Sequence, residues 1–348
     1  MSYKILILGA SYGSLLGTKL AMAGHDVDLV CRRATADLIN AEGTEVRIKL
    51  KDEAAHRSIF SRDLPGRVRA LTPEEVDPAE YDMVGLAMQE PQYGALRDLM
   101  GKIAAARVPC LSIMNMPPLP YLRRIPQLRD ADLSAAFSDS SVWDGFDPDL
   151  VTLCSPDPQA FRPPEEKANV LFVGLPTNFK AARFPDASHN EVLDTLEADI
   201  AAVTLDGKDV PVKLRAFDSL FVPLAKWSML LTGNYRCITA GEPRPIKEAV
   251  HGDPVLARDV YGFVFKLAED LGAEAADLVP FEKYAAAAEN LLKPSSAARA
   301  VAAGATSIER VDRLVQQISR ARDMHHAEVD ATVAQVDARL QENRAKAV

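Results

Sequence analysis

The amino-terminal part of the chain is a short apolar strand that leads directly into a turn of small residues. The strand candidate Lys4–Leu8 is followed by a turn over residues 9–13 and by a helical pattern that continues past Gly17. This order is typical of the first half of a dinucleotide-binding βαβ unit, where N–H groups at the helix start face a pyrophosphate. The usual spacing is G-x-G-x-x-G, and here Ser11 replaces the second glycine. The predicted cofactor-binding residues of this turn are Gly9, Ala10, Ser11, Tyr12 and Gly13.

Length, charge and composition exclude several classes of protein. A chain of 348 residues is expected to form two domains. Its net charge of −9 argues against a nucleic-acid-binding protein. No apolar stretch of about 18 residues occurs, so no membrane span is expected, and the first residues do not resemble a signal peptide. Four widely spaced cysteines predict reduced thiols of a cytoplasmic protein, with no disulfide framework and no metal site.

The periodicity of apolar residues changes near residue 217. Before that point short apolar runs alternate with helical patterns. The strand candidates are Lys4–Leu8, 27–31, 46–49, 67–71, 83–88, 110–114, 133–137 and 170–173. The later helix candidates are 219–232, 254–271, 281–291 and 307–344. We predict an α/β Rossmann-type domain with a parallel sheet over 1–212, followed by an all-helical substrate and dimerisation domain over 213–348.

The end of the second strand candidate bears on cofactor choice. Proteins that prefer NAD carry a carboxylate there for the ribose 2′-hydroxyl, whereas arginine suits the 2′-phosphate of NADP. This chain has Arg32 and Arg33 at that position, and Asp28 lies inside the strand. We predict NADP(H); a solvated surface pair of arginines is the alternative.

Residues 5–17, together with 23–32, resemble the ketopantoate reductase family, whose members join a Rossmann domain to a helical domain. Residues 86–92 resemble the family's strand and loop in which a lysine and a glutamine flank the cofactor. Gln92 matches the glutamine, and Gln89 stands where the lysine is usual. Residues 111–115 resemble a strand that ends near nicotinamide and substrate, which implies contacts of Asn115 with both.

Residues 226–234 resemble the family's Lys-x-x-x-Asn-x-x-x-Asn helix. The resemblance implies that Lys226 is the general acid and that Asn234 binds substrate, while Leu230 replaces the middle asparagine. Independently of the family, a spacing of eight puts Lys226 and Asn234 two helical turns apart on broadly the same side. The flanking residues are apolar, which favours a functional role for a lysine inside this helix. The alternative is an exposed side chain, as most helix lysines have.

Two further segments resemble the family's substrate-binding residues. Ser295 and Ser296 match a serine segment that implies contact with a substrate carboxylate. The family's glutamate falls on Ile308, and Glu309 follows one residue later, so either the loop is one residue longer or the carboxylate is lost. Alternatively, Glu309 lies in the first turn of the final helix, capped by Thr306 or Ser307. His325 and His326 lack metal-ligand spacing and are expected on a solvated helix face.

These observations predict an NADP(H)-dependent oxidoreductase that interconverts a 2-oxo acid, or a related ketone, with its hydroxy form. The changes at Gln89, Leu230 and Ile308 predict a substrate other than ketopantoate, bulkier or less charged. The partner is then a small molecule, and a homodimer through the apolar stripes of the last helix is one option. Opine-type or β-hydroxyacid dehydrogenases, and a non-catalytic NADP(H)-binding sensor, are the alternatives.

Overall fold

The computed structural model describes residues 2–347. The strands are β1 (Lys4–Leu8), β2 (Asp26–Val30), β3 (Glu45–Lys49), β4 (His56–Phe60), β5 (Val68–Leu71), β6 (Met83–Leu86), β7 (Cys110–Ile113), β8 (Val151–Ser155), β9 (Gln159–Phe161), β10 (Val170–Leu175), β11 (Phe179–Ala182), β12 (Thr204–Leu205), β13 (Lys208–Asp209) and β14 (Leu214–Phe217). The helices are α1 (Gly13–Met22), α2 (Arg33–Glu42), α3 (Arg97–Ala106), α4 (Leu119–Leu122), α5 (Ala187–Ala202), α6 (Lys226–Met229), α7 (Ile246–His251), α8 (Pro254–Asp270), α9 (Phe281–Ala288), α10 (Ser296–Ala302), α11 (Val311–Ala321) and α12 (Ala327–Lys346).

Eight strands form a large sheet in the order β14-β11-β8-β7-β6-β1-β2-β5. All neighbouring pairs are parallel except β8 and β11. The central strands read as continuous apolar runs because both of their faces are buried. The strand order reverses at β1, which pairs with β2 on one side and β6 on the other. This topology confirms the prediction of a Rossmann-type parallel sheet. Ligands of such sheets bind at the carboxyl ends of the strands beside the reversal.

A second, smaller sheet has the order β4-β3-β10-β9, and β12 and β13 form a separate hairpin. Apolar side chains of β3, β4 and β10 join the same hydrophobic core as those of β1 and α1. The strand β9 belongs to the first unit and lies in a Pro-rich segment. The sequence pattern predicted no strand there.

The chain divides into two compact units. The first unit comprises the residues up to Met88, Gln92–Tyr121 and Val142–Asp218. The second comprises Gln89–Pro91, Leu122–Ser141 and the residues from Ser219 onward. The sequence placed the division at residue 212 and treated both parts as continuous, whereas the second unit takes in two short segments from the first half of the chain.

Two predicted elements are wrong in detail, and one strand was not predicted. The strand expected at 133–137 is a 3₁₀ turn, Ser134–Ala136, because its buried residues Leu133, Ala136 and Phe137 follow helical spacing. The strand β8 was missed, although all five of its residues are buried. The single helix expected at 307–344 is two helices, α11 and α12.

The break between α11 and α12 explains both the histidines and the apolar stripes. Asp323 has a φ of 53°, and His326 caps α12 by accepting a hydrogen bond from the Glu328 N–H at 3.2 Å, so the pair does not lie on one solvated helix face. The stripes are Ile308, Val311, Val315, Ile318, Val329, Val333, Val336 and Leu340, and all eight are buried inside the second unit. They therefore pack against their own unit. Among residues 2–347, the structure holds no helix with the length and apolar character that a bilayer crossing needs.

Candidate active site

The turn between β1 and α1 depends on the absence of side chains at two glycines. Gly9 has a φ of 104°, and a Cβ there would lie 2.8 Å from the Ala87 carbonyl oxygen. A Cβ at Gly13 would lie 2.6 Å from Cγ2 of Ile7, so α1 starts in close contact with β1. The Gly9 N–H donates to the Val30 carbonyl at 3.0 Å, which fixes the turn to the end of β2.

The same turn presents main-chain donors. Within residues 2–347, the N–H groups of Ala10, Ser11 and Tyr12 donate to no other group. They lie directly before the first turn of α1, a ten-residue helix with no acidic residue in that turn. Open N–H groups at a helix start favour an anion. The turn therefore fits the pyrophosphate of a dinucleotide.

Tyr12 connects this turn to the second sheet. Its hydroxyl donates to the Pro158 carbonyl at 2.5 Å, and its ring meets Phe179 edge-on at 5.9 Å. Pro158 immediately precedes β9. The segment that ends in Arg162 is thereby fixed beside the glycine turn, and Tyr12 has a packing role that its place in the motif did not reveal.

The two arginines after β2 have different surroundings. Arg33 donates to Glu75 at 3.0 Å and to Thr72 at 3.2 Å, so its guanidinium is already held by the first unit. Arg32 is exposed and forms no ion pair in the described part of the chain. The carboxylate of Asp28 lies inside β2 and accepts from Arg69 at 2.7 Å. The end of β2 thus presents Arg32 and no free carboxylate.

Sequence reasoning missed a third arginine at this site. Arg162 is half-buried, and like Arg32 it has no ion-pair partner among residues 2–347. Burial lowers the pKa of the Arg162 guanidinium, and the nearby positive charge of Arg32 lowers it further. Two neighbouring arginines without a paired carboxylate suit a multiply charged anion. The only sequence signal was an arginine at the end of a Pro-rich segment.

The loops after β6 and β7 carry the other predicted cofactor residues. Gln89 and Gln92 both follow β6 and both have exposed side chains. The Tyr93 hydroxyl accepts from the Met88 N–H at 3.1 Å, and its buried ring packs on Trp143. Asn115 follows β7 and is partly exposed. The first unit therefore brings Gln92 and Asn115 to the carboxyl ends of neighbouring strands, while Gln89 belongs to the second unit.

In the second unit, Lys226 and Asn234 lie on one irregular helix. The α-helical turn α6 ends at Met229, and the next turn, Leu230–Asn234, is a π turn. Both side chains are partly exposed, although the residues between them are mostly buried. The sequence predicted two turns of α-helix, and the second turn is a π turn instead. Lys226 and Asn234 still lie on two successive turns.

Ser295 and Ser296 have separate tasks. The Ser295 hydroxyl is buried, donates to the Asn234 carbonyl at 2.7 Å and accepts from the Ala298 N–H as the cap of α10. Ser296 is exposed as the first residue of α10. The hydroxyl that remains available to a ligand beside Asn234 is thus that of Ser296.

Glu309 does not cap the final helices. The helix α11 starts at Val311, so the expected caps at Thr306 or Ser307 are wrong. Ile308 is buried, and one Glu309 carboxylate oxygen accepts from the Glu90 N–H at 3.4 Å. The Tyr235 hydroxyl donates to the Glu309 carbonyl at 2.6 Å, which ties this residue to the end of the π turn. Glu309 therefore lies beside Tyr235, and its carboxylate lies beside the Glu90 N–H.

Glu90 is a buried carboxylate that sequence reasoning missed. It is 2 % exposed and accepts from both the N–H and the hydroxyl of Ser138, at 2.9 and 3.0 Å. Burial raises the pKa of the Glu90 carboxyl. It joins the inserted segment Leu122–Ser141 to the loop that carries Gln89. A charged residue in the loop that follows the buried strand β6 was the available signal.

No family model and no curated protein matches this sequence. Solved structures match over nearly the whole chain. A 2-dehydropantoate 2-reductase from Methylococcus capsulatus has 14% identity and a TM-score of 0.67, over 98% of this chain and 97% of that one. A ternary structure of D-mandelate dehydrogenase with NADH and anilino(oxo)acetate has 12% identity and a TM-score of 0.67, over 98% and 99%. A dimeric ketopantoate reductase from Staphylococcus aureus has 13% identity and a TM-score of 0.60, over 98% and 99%. The chain has the fold of the ketopantoate reductases, with widely diverged residues.

Proposed function

We propose that this chain is an NADP(H)-dependent oxidoreductase of the ketopantoate reductase family that interconverts a 2-oxo acid, or a related ketone, with its hydroxy form. The observation that carries the proposal is the group of polar residues around one helix of the second unit. Lys226 and Asn234 lie on successive turns, and Ser295 and Glu309 are both hydrogen-bonded to the end of that helix. A cation, an amide and a carboxylate in one group suit a substrate with a carbonyl and a carboxylate.

The first unit would hold the cofactor. The open N–H groups at Ala10, Ser11 and Tyr12 suit its pyrophosphate. Arg32 and Arg162 suit the 2′-phosphate that distinguishes NADP from NAD. Since a neighbour of this fold binds NADH, the choice of cofactor depends on these two residues and not on the fold.

The nicotinamide would supply the hydride that reduces the carbonyl carbon. Lys226 would donate a proton to the carbonyl oxygen and stabilise the negative charge that develops there. Asn234 and Ser296 would orient the oxo acid by hydrogen bonds, and Glu309 would contact its polar end. In the reverse reaction Lys226 would take the proton back from the hydroxyl group.

The substrate would be less polar than ketopantoate. Leu230 replaces a polar residue of the family pattern and lies in the π turn between Lys226 and Asn234. Gln89 replaces a charged residue, and its side chain is exposed. An apolar residue in the middle of the binding helix favours a hydrophobic side chain on the oxo acid. An aryl 2-oxo acid belongs to this class, as does the anilino(oxo)acetate bound by the mandelate dehydrogenase neighbour.

The proposal is tested by following NADPH and NADH oxidation with a panel of alkyl and aryl 2-oxo acids, ketopantoate included. We expect turnover of an apolar 2-oxo acid with NADPH and poor turnover of ketopantoate. In Lys226→Ala, turnover should be lost while NADPH still binds. Near-normal turnover in this variant would move the chemistry to another residue, as in an opine-type or β-hydroxyacid dehydrogenase. Cofactor binding without oxidation of NADPH by any panel member would identify a sensor.

Two further properties belong to the same proposal. The four cysteines are free thiols, which suits a cytoplasmic enzyme. A homodimer, as in the Staphylococcus aureus neighbour, would need a contact surface other than the stripes of α11 and α12, since these are buried in their own unit. Sedimentation or light scattering of the purified chain would measure its mass in solution.

A further inference from the structure

The π turn at Leu230–Asn234 corrects the alignment of two side chains. Two turns of regular α-helix hold about 7.2 residues, so a residue eight positions along lies about 80° around the helix from the first. In the π turn the Tyr235 N–H donates to the Leu230 carbonyl, a bond to the fifth residue back. Such a turn holds about 4.4 residues, so one α turn and one π turn together hold about eight. Asn234 thus comes to lie nearly in line with Lys226.

A π turn needs support from outside the helix, because regular α-helix is the more stable arrangement. In an α-helix the Met229 carbonyl would accept from the Gly233 N–H. Here the Tyr284 hydroxyl, from α9, donates to the Met229 carbonyl at 3.2 Å. A Cβ at Gly233 would lie 1.9 Å from the same hydroxyl oxygen. The hydroxyl therefore lies against the Met229 carbonyl and fills the space that a side chain at position 233 would take. A side chain inserted beside the hydrogen-bond ladder is a known cause of such irregularity.

We propose that Tyr284 and Gly233 are a positioning pair that holds the π turn and thereby sets Asn234 in line with Lys226. Tyr284 is 6 % exposed and its ring stacks on Tyr261 at 5.5 Å, so packing holds the hydroxyl in a fixed position. The Asn234 carbonyl and the Tyr235 hydroxyl, at the end of the turn, bind Ser295 and Glu309. The register of the turn is thus passed on to the other candidate substrate residues. This inference rests on the proposed function for its effect on catalysis, and on geometry alone for its effect on stability.

The structure provides a matched control in Tyr261. Its buried ring stacks on that of Tyr284, and Tyr261→Phe keeps this contact. Within residues 2–347 its hydroxyl donates to the Val279 carbonyl, at 2.6 Å, and to no residue of the π turn. We expect Tyr284→Phe to raise KM for the 2-oxo acid about tenfold, with KM for NADPH unchanged. Tyr261→Phe should lower Tm about as much as Tyr284→Phe does. It should change neither the KM for the 2-oxo acid nor the KM for NADPH. Equal changes in KM for the oxo acid in both variants would overturn the inference.

A double-mutant cycle between the two residues tests the geometry without any assay of activity. Gly233→Ala should lower Tm markedly, because the new methyl group meets the Tyr284 hydroxyl. In the Tyr284→Phe background the same substitution should lower Tm much less, since the clashing oxygen is gone. Additive shifts in Tm would contradict the pairing. If the shifts are coupled but Asn234→Ala leaves KM for the oxo acid unchanged, the π turn stands and the proposed substrate role of Asn234 fails.

Discussion

The turn over residues 9–13, in the first unit, and the helix over 226–234, in the second, present their candidate binding groups by opposite means, and we call them the cofactor half and the substrate half. The turn offers main-chain N–H groups, and it needs glycine at position 9, where a Cβ would lie 2.8 Å from the Ala87 carbonyl oxygen. The helix offers the side chains of Lys226 and Asn234, and Gly233 makes room for a tyrosine hydroxyl. The cofactor half should therefore respond to changes in main-chain geometry, and the substrate half to the loss of single functional groups.

The largest expected effect is in the substrate half. Lys226→Met should lower kcat/KM for the 2-oxo acid about a thousandfold, because the proposed general acid and its positive charge would be lost together. The Kd for NADPH should not change, since the cofactor half lies in the first unit. Lys247→Met is the matched control: this lysine pairs with Glu289 on the surface of the same unit. A thousandfold loss in the control, or a parallel loss of NADPH affinity in Lys226→Met, would break the division into halves.

The next effect is in the cofactor half. Gly9→Ala should raise the Kd for NADPH about thirtyfold and lower the free energy of unfolding by about 2 kcal/mol, since it adds both strain and a clash. Gly24→Ala is the control, because Gly24 also has a positive φ, of 90°, but a Cβ there would have no atom within 4 Å. The substitution therefore adds strain without a clash. It should lose stability and keep NADPH affinity. Calorimetric titration with NADPH measures both variants, and unchanged binding in Gly9→Ala would remove this turn from the site.

The arginines sharpen the description of the cofactor half. Arg32→Gln and Arg162→Gln should each raise KM for NADPH about tenfold and leave KM for NADH unchanged, because each would lose its proposed charged bond to the 2′-phosphate. Arg33→Gln should change neither constant, since Glu75 and Thr72 already hold Arg33. A preference for NADH in the unmodified enzyme would contradict the role given to Arg32 and Arg162.

The smallest expected effect is a change of stability with pH, and it concerns one cationic side chain in each unit. Arg310 in the second unit donates to Asp312 at 2.9 Å. Lys19 in the first unit is 1 % exposed and donates to the Val210 carbonyl, and burial lowers its pKa to about 7. The folded protein then binds fewer protons than the unfolded chain between about pH 7 and pH 10.5, so stability rises with pH in this window.

This rise can be measured by urea unfolding at several pH values. The free energy of unfolding should increase by about 1 kcal/mol between pH 7 and pH 8, and Lys19→Met should remove that part of the slope. An identical slope in the variant would show that Lys19 is charged at pH 7 in the folded protein.

The cofactor half was more predictable from the sequence than the substrate half for a physical reason. A buried parallel strand and a glycine turn leave a local signal, since both depend on residues adjacent in the chain. Arg162 left no such signal, because it reaches the end of β2 through β9 and the Tyr12–Pro158 contact. The π turn depends on Tyr284, fifty-five positions after Met229, and no helical periodicity records that contact. The same holds for Glu90, whose partner Ser138 lies on an inserted segment.

The transfer of hydride is the step on which the proposed function depends. It can be observed directly with NADPH deuterated on the transferring carbon of the nicotinamide, incubated with the chain and the panel of 2-oxo acids. We expect deuterium at carbon 2 of one apolar hydroxy acid product, detected by mass spectrometry, and none with Lys226→Met. Tight binding of NADPH with no deuterium in any product would show that this fold serves here to bind the cofactor and not to transfer its hydride.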